Sequence, residues 1–167
     1  MARGDEHEFV RSTELTQTFA PPTVEPGFRQ DLAMAIEAMP ASKLLGLKVL
    51  GFSAEGTSLL ELPMRSELTF DGRVAQGGIV GMLADYAGVS AANCTLPVGW
   101  MASTTGYEVH NLAPAVGDAL VAVGRLVHLG KTIAVSNAEV WARRDGMHTL
   151  VAWATTTCRP FEIKLRG

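Results

Sequence analysis

The segment QGGIVGMLADYAGVSAA, residues 76–92, is the feature that most restricts how this chain folds. It carries one charged residue, Asp85, among glycines and apolar side chains. A solvent-exposed helix would carry several charges on one side, whereas a helix that is apolar all round is a buried one. We therefore expect residues 77–92 to form a central helix that the rest of the protein covers, with Asp85 at least partly buried.

Four strand-like runs follow this helix, over roughly residues 101–112, 118–129, 132–144 and 148–159. The connections between them are short, and the last one contains Asp-Gly, a hairpin signal. Short connections require antiparallel neighbours, because a parallel pair needs a crossover of about a dozen residues. Small residues alternate along the last two runs, which lets a sheet approach a helix that lies across it.

The chain before the central helix divides into an extension and an ordered region. Residues 1–27 are polar and end in APPTVEPG, which predicts a flexible extension ahead of one domain over residues 28–167. Apolar residues at helical spacing then predict a helix that Pro40 ends, and two short strands are expected around the turn at Glu55-Gly56. Together with the later runs, these elements predict an α+β domain in which an antiparallel sheet wraps around one central helix.

Charge and cysteine content narrow the class of partner. A net charge of −3 and a pI near 5.8 do not fit a nucleic-acid binder, which usually shows a basic excess. No stretch reaches the roughly 18 charge-free apolar residues of a membrane helix. Cys94 and Cys158 are isolated thiols, which fit neither a disulfide nor a zinc framework and are typical of a reducing cytoplasm. We expect a cytoplasmic protein that binds neither nucleic acid, membrane nor metal.

The candidate catalytic groups lie at the start and in the middle of the central helix. Gln76-Gly77-Gly78 places unobstructed backbone N–H groups at a helix N-terminus, where they stabilise developing negative charge. Asp85 lies two turns further on, on the face of Gly78, and burial raises the pKa of a carboxyl group. On the residues alone, the two glycines are also explained by a tight turn into the helix. Asp85 is also explained as an acid that satisfies backbone donors of a neighbouring loop or subunit.

Three glycines share the helical face of Asp85, namely Gly78, Gly81 and Gly88. Each glycine inside a helix costs about 1 kcal/mol relative to alanine. The stripe therefore predicts that another backbone or a ligand lies close against this face.

Two long segments resemble the hotdog-fold acyl-CoA thioesterases of the PaaI-like, phenylacetate-degradation type. They are GRVAQGGIVGMLADYAGVSAA and STTGYEVHNLAPAVGDALVAVGRLVHLGKTIAVSNAEVWARRDGMHTLVAWATTT, and the resemblance covers about residues 44–160. The family pattern is His-Gly-Gly at the helix start with an acid nine positions after the His. Gln76-Gly77-Gly78 and Asp85 reproduce that spacing.

This resemblance implies that the protein hydrolyses an acyl-CoA thioester to a carboxylic acid and free CoA. It also implies a homodimer or homotetramer with active sites at the subunit interface. The amide of Gly78, with that of Gly77, would polarise the thioester carbonyl, and Asp85 would act as general base for water or as nucleophile. CoA would be part of the substrate, so no separate cofactor is implied. The residues that the resemblance places near CoA are His128, Gly130, Lys131 and Arg125.

Three positions depart from the family pattern and keep alternatives open. Gln76 replaces the usual His, Phe70 stands where Asn or Gln is often found, and Tyr86 follows the acid where Thr, Ser or Asn is frequent. These departures favour a non-catalytic acyl-CoA-binding hotdog protein as the first alternative. A hotdog hydratase or dehydratase is the second, but those enzymes usually pair the Asp with a nearby His, and residues 76–92 contain none.

Overall fold

The computed structural model describes residues 18–163, in which two short helices precede a six-stranded sheet and one long helix. The helices are α1 (Gln30–Ala38), α2 (Pro40–Leu45) and α3 (Gly77–Asn93), and a 3-10 turn lies at Ser66–Leu68. The strands are β1 (Lys48–Ser53), β2 (Thr57–Pro63), β3 (Trp100–Asn111), β4 (Ala119–Leu129), β5 (Ala134–Arg144) and β6 (Met147–Glu162).

The strands form one antiparallel sheet in the order β1-β2-β4-β5-β6-β3, so that β1 and β3 are its edges. The four later strands match the predicted runs, and their ends differ from the prediction by three residues or fewer. Pro40 ends α1 as predicted, but it also begins α2, because its fixed φ suits the first position of a helix. None of the helices between residues 18 and 163 is long and apolar enough to cross a membrane.

Helix α3 lies across the concave face of the sheet, with Leu83, Ala84, Ala87 and Ala91 fully buried. The hydroxyl group of Ser58 in β2 donates a 2.7 Å hydrogen bond to the carbonyl oxygen of Ala87. Small residues of the sheet make this approach possible, as the sequence predicted. The result is the predicted hotdog arrangement, a sheet wrapped around a central helix.

The glycine stripe of α3 meets the sheet at one of its three positions. A Cβ atom on Gly88 would overlap the side chain of Thr156 in β6. On Gly81 it would stand 3.5 Å from Val109, an ordinary contact, and on Gly78 it would meet nothing within 4 Å. The predicted close approach is therefore confirmed at Gly88, whereas Gly78 faces open space.

Arg29, just before α1, ties that helix to the end of α3. Its Nη1 donates to the carbonyl oxygens of Asn93 at 3.1 Å and Leu96 at 3.0 Å, and its Nε donates to Asp31 at 3.0 Å. A cation is stabilising at a helix C-terminus, where carbonyl groups lack partners within the helix. This contact holds α1 beside the second half of α3.

The last part of the predicted extension lies on the outer face of the sheet. Phe19 stacks on His148 with ring centroids 4.1 Å apart and meets Trp141 edge to face at 5.3 Å. Glu25 forms a backbone bridge to Phe52, and its carboxylate accepts a 2.8 Å hydrogen bond from the N–H of Ala54. Apolar residues of β2 and β4 lie in the same cluster as Phe19, namely Leu59, Val121 and Val123. The extension was predicted to be flexible over residues 1–27, and its residues 1–17 lie outside the described residues.

Candidate active site

Asp85 is half-buried in the middle of α3, beside the first half of β3. The hydroxyl group of Thr104 donates a 2.8 Å hydrogen bond to its Oδ1. Burial raises the pKa of Asp85 above its usual value, and the hydrogen bond from Thr104 partly opposes that rise. Asp85 is therefore a desolvated carboxyl group with one oriented oxygen, which is the condition expected of a proton acceptor.

Thr104 is a site residue that the sequence analysis missed. It pairs with Cys158 of β6, and the register of β3 shifts between Thr104 and Gly106, which leaves Thr105 as a bulge. Bulges re-aim neighbouring side chains and are frequent beside active sites. Gly106 inside a strand-like run is the signal that could have indicated this bulge.

Cys158 lies under this carboxyl group. Its thiol is buried, and burial raises its pKa to about 11, with the negative charge of Asp85 adding to the effect. A thiol that stays protonated is a poor nucleophile. Cys158 is therefore a buried thiol near Asp85 that we do not expect to act as a nucleophile.

The N-terminus of α3 presents backbone donors to the exterior. The N–H groups of Ile79 and Val80 donate to the carbonyl oxygen of Gln76, at 2.9 Å and 3.2 Å. Those of Gly77 and Gly78, both exposed, have no hydrogen-bond partner among residues 18–163. Two free N–H groups at the positive end of a helix can hold a developing oxyanion.

Of the three residues that depart from the family pattern, Gln76 directly precedes these donors as the N-cap residue of α3. Gln76 is exposed, and its side chain does not cap the helix. Phe70 is 67% exposed, and Tyr86 faces a cavity on the side of α1. The side-chain amide of Asn111 does lie there, 3.6 Å from where a Cβ atom on Gly77 would stand. Asn111 is a polar neighbour of the helix start that the sequence analysis did not identify.

The donors and the acid are well separated within one chain. Gly78 and Asp85 are seven residues apart in one helix, which corresponds to about 10 Å along its axis. An oxyanion donor must stand about 3 Å from the carbonyl oxygen, and a general base must reach the attacking water at a similar distance. Gly78 and Asp85 of the same chain therefore cannot act together on one carbonyl group.

A cavity of about 360 Å³ opens between α1, the second half of α3 and the start of β3. Asp85 and Thr104 form part of its wall, together with Tyr86. Pockets that bind small molecules are concave, mostly apolar and carry a few polar groups. The cavity therefore brings an apolar space next to the only half-buried carboxyl group of α3.

The residues predicted to lie near CoA occupy two different faces. Gly130 and Lys131, between β4 and β5, line a groove of about 520 Å³ that shares Trp100 with the cavity beside Asp85. His128 is exposed, and its Nε2 lies 3.1 Å from where a Cβ atom on Gly130 would stand. Arg125 points to the outer face and pairs with Glu139 at 3.7 Å. The structure thus brings Gly130 and Lys131 near the cavity and places Arg125 apart from them.

Several solved structures share this fold. A thioesterase family protein from Silicibacter pomeroyi is 26% identical, with a TM-score of 0.76, over 81% of this chain and 99% of that chain. The PaaI protein of the Escherichia coli phenylacetic acid degradation operon is 22% identical, with a TM-score of 0.68, over 81% and 95%. A Bacillus halodurans protein, solved with CoA, is 26% identical, with a TM-score of 0.64, over 74% and 77%.

These similarities confirm the predicted resemblance to hotdog-fold thioesterases, and the PaaI protein shares the fold. No model of a protein family matches the chain, and no curated protein matches it significantly. The likeness therefore rests on the fold and on solved structures that share about a quarter of the sequence.

Proposed function

We propose that this protein is an acyl-CoA thioesterase, which hydrolyses a thioester to a carboxylic acid and free CoA. The observation that carries the proposal is the half-buried carboxyl group of Asp85, oriented by Thr104 in the wall of a cavity. A carboxyl group whose pKa burial raises is a suitable proton acceptor. The thioesterase neighbours, and the CoA bound by the Bacillus halodurans protein, support a CoA thioester as the substrate.

The proposed active site combines two copies of the chain. Two copies related by a twofold axis, with antiparallel α3 helices, would bring Gly78 of one chain beside Asp85 of the partner subunit. The exposed start of α3 and the free edge of β3 are the surfaces that such a homodimer would cover. A homodimer is then the smallest assembly with a complete site, and a homotetramer would hold two such pairs.

In the proposed reaction, Asp85 takes a proton from a water molecule while the water oxygen attacks the thioester carbonyl carbon. The N–H groups of Gly77 and Gly78 of the partner subunit stabilise the negative charge that develops on the carbonyl oxygen. When the tetrahedral intermediate collapses, the carbon–sulfur bond breaks and the CoA sulfur receives the proton from Asp85. In the nucleophilic variant, the carboxylate attacks the carbonyl carbon, and the carbon–sulfur bond breaks to release the CoA thiolate and leave a mixed anhydride. Water then hydrolyses the anhydride to the carboxylic acid and the carboxyl group of Asp85, whose proton goes to the thiolate.

Gly130 and Lys131 fit the proposed binding of CoA. Their groove lies next to the cavity and shares Trp100 with it, so Lys131 stands on the side of the protein where the thioester would bind. An exposed lysine attracts phosphate groups as a point charge. Arg125, which already pairs with Glu139 on the outer face, contributes less to this binding.

The test of the proposed function is release of free thiol from short, medium, long and aryl acyl-CoAs. Wild-type protein is compared with Asp85→Asn and with the control Asp145→Asn, which changes an exposed turn residue. We expect turnover of at least one class, its loss in Asp85→Asn and its retention in the control. No release by the wild type, with CoA binding retained, would favour the non-catalytic acyl-CoA-binding protein instead.

A further inference from the structure

We propose that the cavity between α1, α3 and β3 binds the acyl chain, and that this chain is an uncharged alkyl group of medium length. The inference rests on the proposed function, because it assumes that the scissile carbonyl lies beside Asp85. From that carbon the acyl chain must extend into a neighbouring space. The cavity is such a space, since Asp85 and Thr104 stand in its wall.

The lining of the cavity favours an alkyl chain. Leu32 and Ile36 of α1 are buried there, and Val89 of α3 faces them. Met39 and Met101 also line the cavity. Methionine side chains are unbranched and adapt to irregular apolar shapes, which suits a flexible chain more than a rigid ring. Apolar surface buried against such walls stabilises the bound chain.

The charges in the wall exclude an acyl group that carries its own carboxylate. Arg29 is the cation of the lining, and each of its three side-chain nitrogens donates a hydrogen bond within the protein. Its Nε and Nη2 donate to the two oxygens of Asp31, at 3.0 Å and 3.1 Å, while Nη1 donates to carbonyl oxygens at the end of α3. The remaining charge is that of Asp85, which repels an anion. A dicarboxylic acyl group would therefore lie there unpaired.

The volume sets the approximate length of the chain. At about 360 Å³, the cavity lies near the lower end of the range for small-molecule sites. A water-sized group takes up about 30 Å³, so the cavity holds on the order of ten carbon atoms. Acyl chains of about eight to ten carbons would fill it, whereas a butyryl chain would leave much of the apolar wall in contact with water.

The experiment changes the volume of the cavity at one exposed position of its rim. Ala35→Phe fills the cavity from α1, and Ala38→Phe places the same side chain on that helix outside it. Binding of CoA and of non-hydrolysable butyryl-, octanoyl-, phenylacetyl- and succinyl-CoA thioethers is measured by calorimetry. This readout needs no turnover, so it tests the cavity even if the protein hydrolyses nothing.

We expect wild-type protein to bind the octanoyl analogue more tightly than the other three. Ala35→Phe should weaken octanoyl binding about tenfold and leave CoA binding unchanged, while Ala38→Phe changes neither. Equal losses for all analogues, or no loss for octanoyl, would overturn the assignment of the cavity. Tightest binding of the phenylacetyl or succinyl analogue would overturn the medium alkyl chain.

Discussion

The hydroxyl group of Thr104 donates a 2.8 Å hydrogen bond to Oδ1 of Asp85, although nineteen residues separate the two along the chain. The contact joins the central helix to an edge strand at a bulge. It fixes one carboxylate oxygen and leaves the other without a hydrogen-bond partner among residues 18–163. It also stabilises the charged form of an acid that burial otherwise disfavours.

The first prediction concerns the pH dependence of hydrolysis. In the proposed reaction the carboxylate is the active form, so kcat/KM should rise with pH through the pKa of Asp85, which burial places above the usual 3.8. Thr104→Val removes the hydrogen bond that lowers this pKa. The acidic limb of the pH–rate profile should therefore move to higher pH. Thr104→Ser should restore the wild-type limb. A pH–rate profile that is identical in all three proteins would contradict this role.

The second prediction concerns the stability cost of the same carboxyl group. Because the pKa of Asp85 is raised in the folded state, the native protein binds this proton more tightly than the unfolded chain. The stability that the group contributes is thus present at low pH and lost as pH rises through the folded pKa. Asp85→Asn should increase the free energy of unfolding at pH 7 and change it less at pH 4. Urea denaturation at both pH values checks this, and a loss of stability at pH 7 would count against it.

The third prediction compares two glycines of α3. Gly88→Ala should lower the free energy of unfolding by about 1–3 kcal/mol, because the new methyl group overlaps Thr156. Gly78→Ala should leave it unchanged or raise it by up to about 1 kcal/mol, since nothing lies within 4 Å. The double variant Gly88→Ala/Thr156→Ala should lose less free energy of unfolding than the two single variants lose together. Strict additivity in a double-mutant cycle would show that the two residues do not meet.

The fourth prediction concerns the segment on the outer face of the sheet. Phe19→Ala removes the contacts with His148 and Trp141 and should cost about 1–3 kcal/mol of stability. Phe70→Ala is the matched control, because Phe70 is 67% exposed, and it should cost less than about 0.5 kcal/mol. Equal midpoints of thermal unfolding for the two variants would show that Phe19 does not stabilise the domain.

The fold was largely predictable because burial leaves a strong local pattern. A helix with one acid among apolar residues must be buried, and α3 spans the residues for which the pattern predicted a helix. Short turns forced the later strands to be antiparallel. The second helix was missed because Pro40 was interpreted as a stop alone, although proline also begins helices.

Sequence reasoning could relate the residues of the candidate site to one another only where they lie in the same helix. Gly77, Gly78 and Asp85 follow from the helical period, but their separation of about 10 Å needs the length of the helix as well as its face. Thr104 and Asn111 reach α3 only because β3 pairs with β6 and bulges at Thr105. Such long-range register depends on the whole sheet, and no local pattern contains it.

The contact of Phe19 with the outer face bears on how molecules of this protein assemble. Sheets with uncovered apolar faces commonly pack against one another. Here the chain's own N-terminal segment lies where a neighbouring sheet would stack, beside Leu59, Val121 and Val123. Two such sheets could stack face to face only after this segment had been displaced.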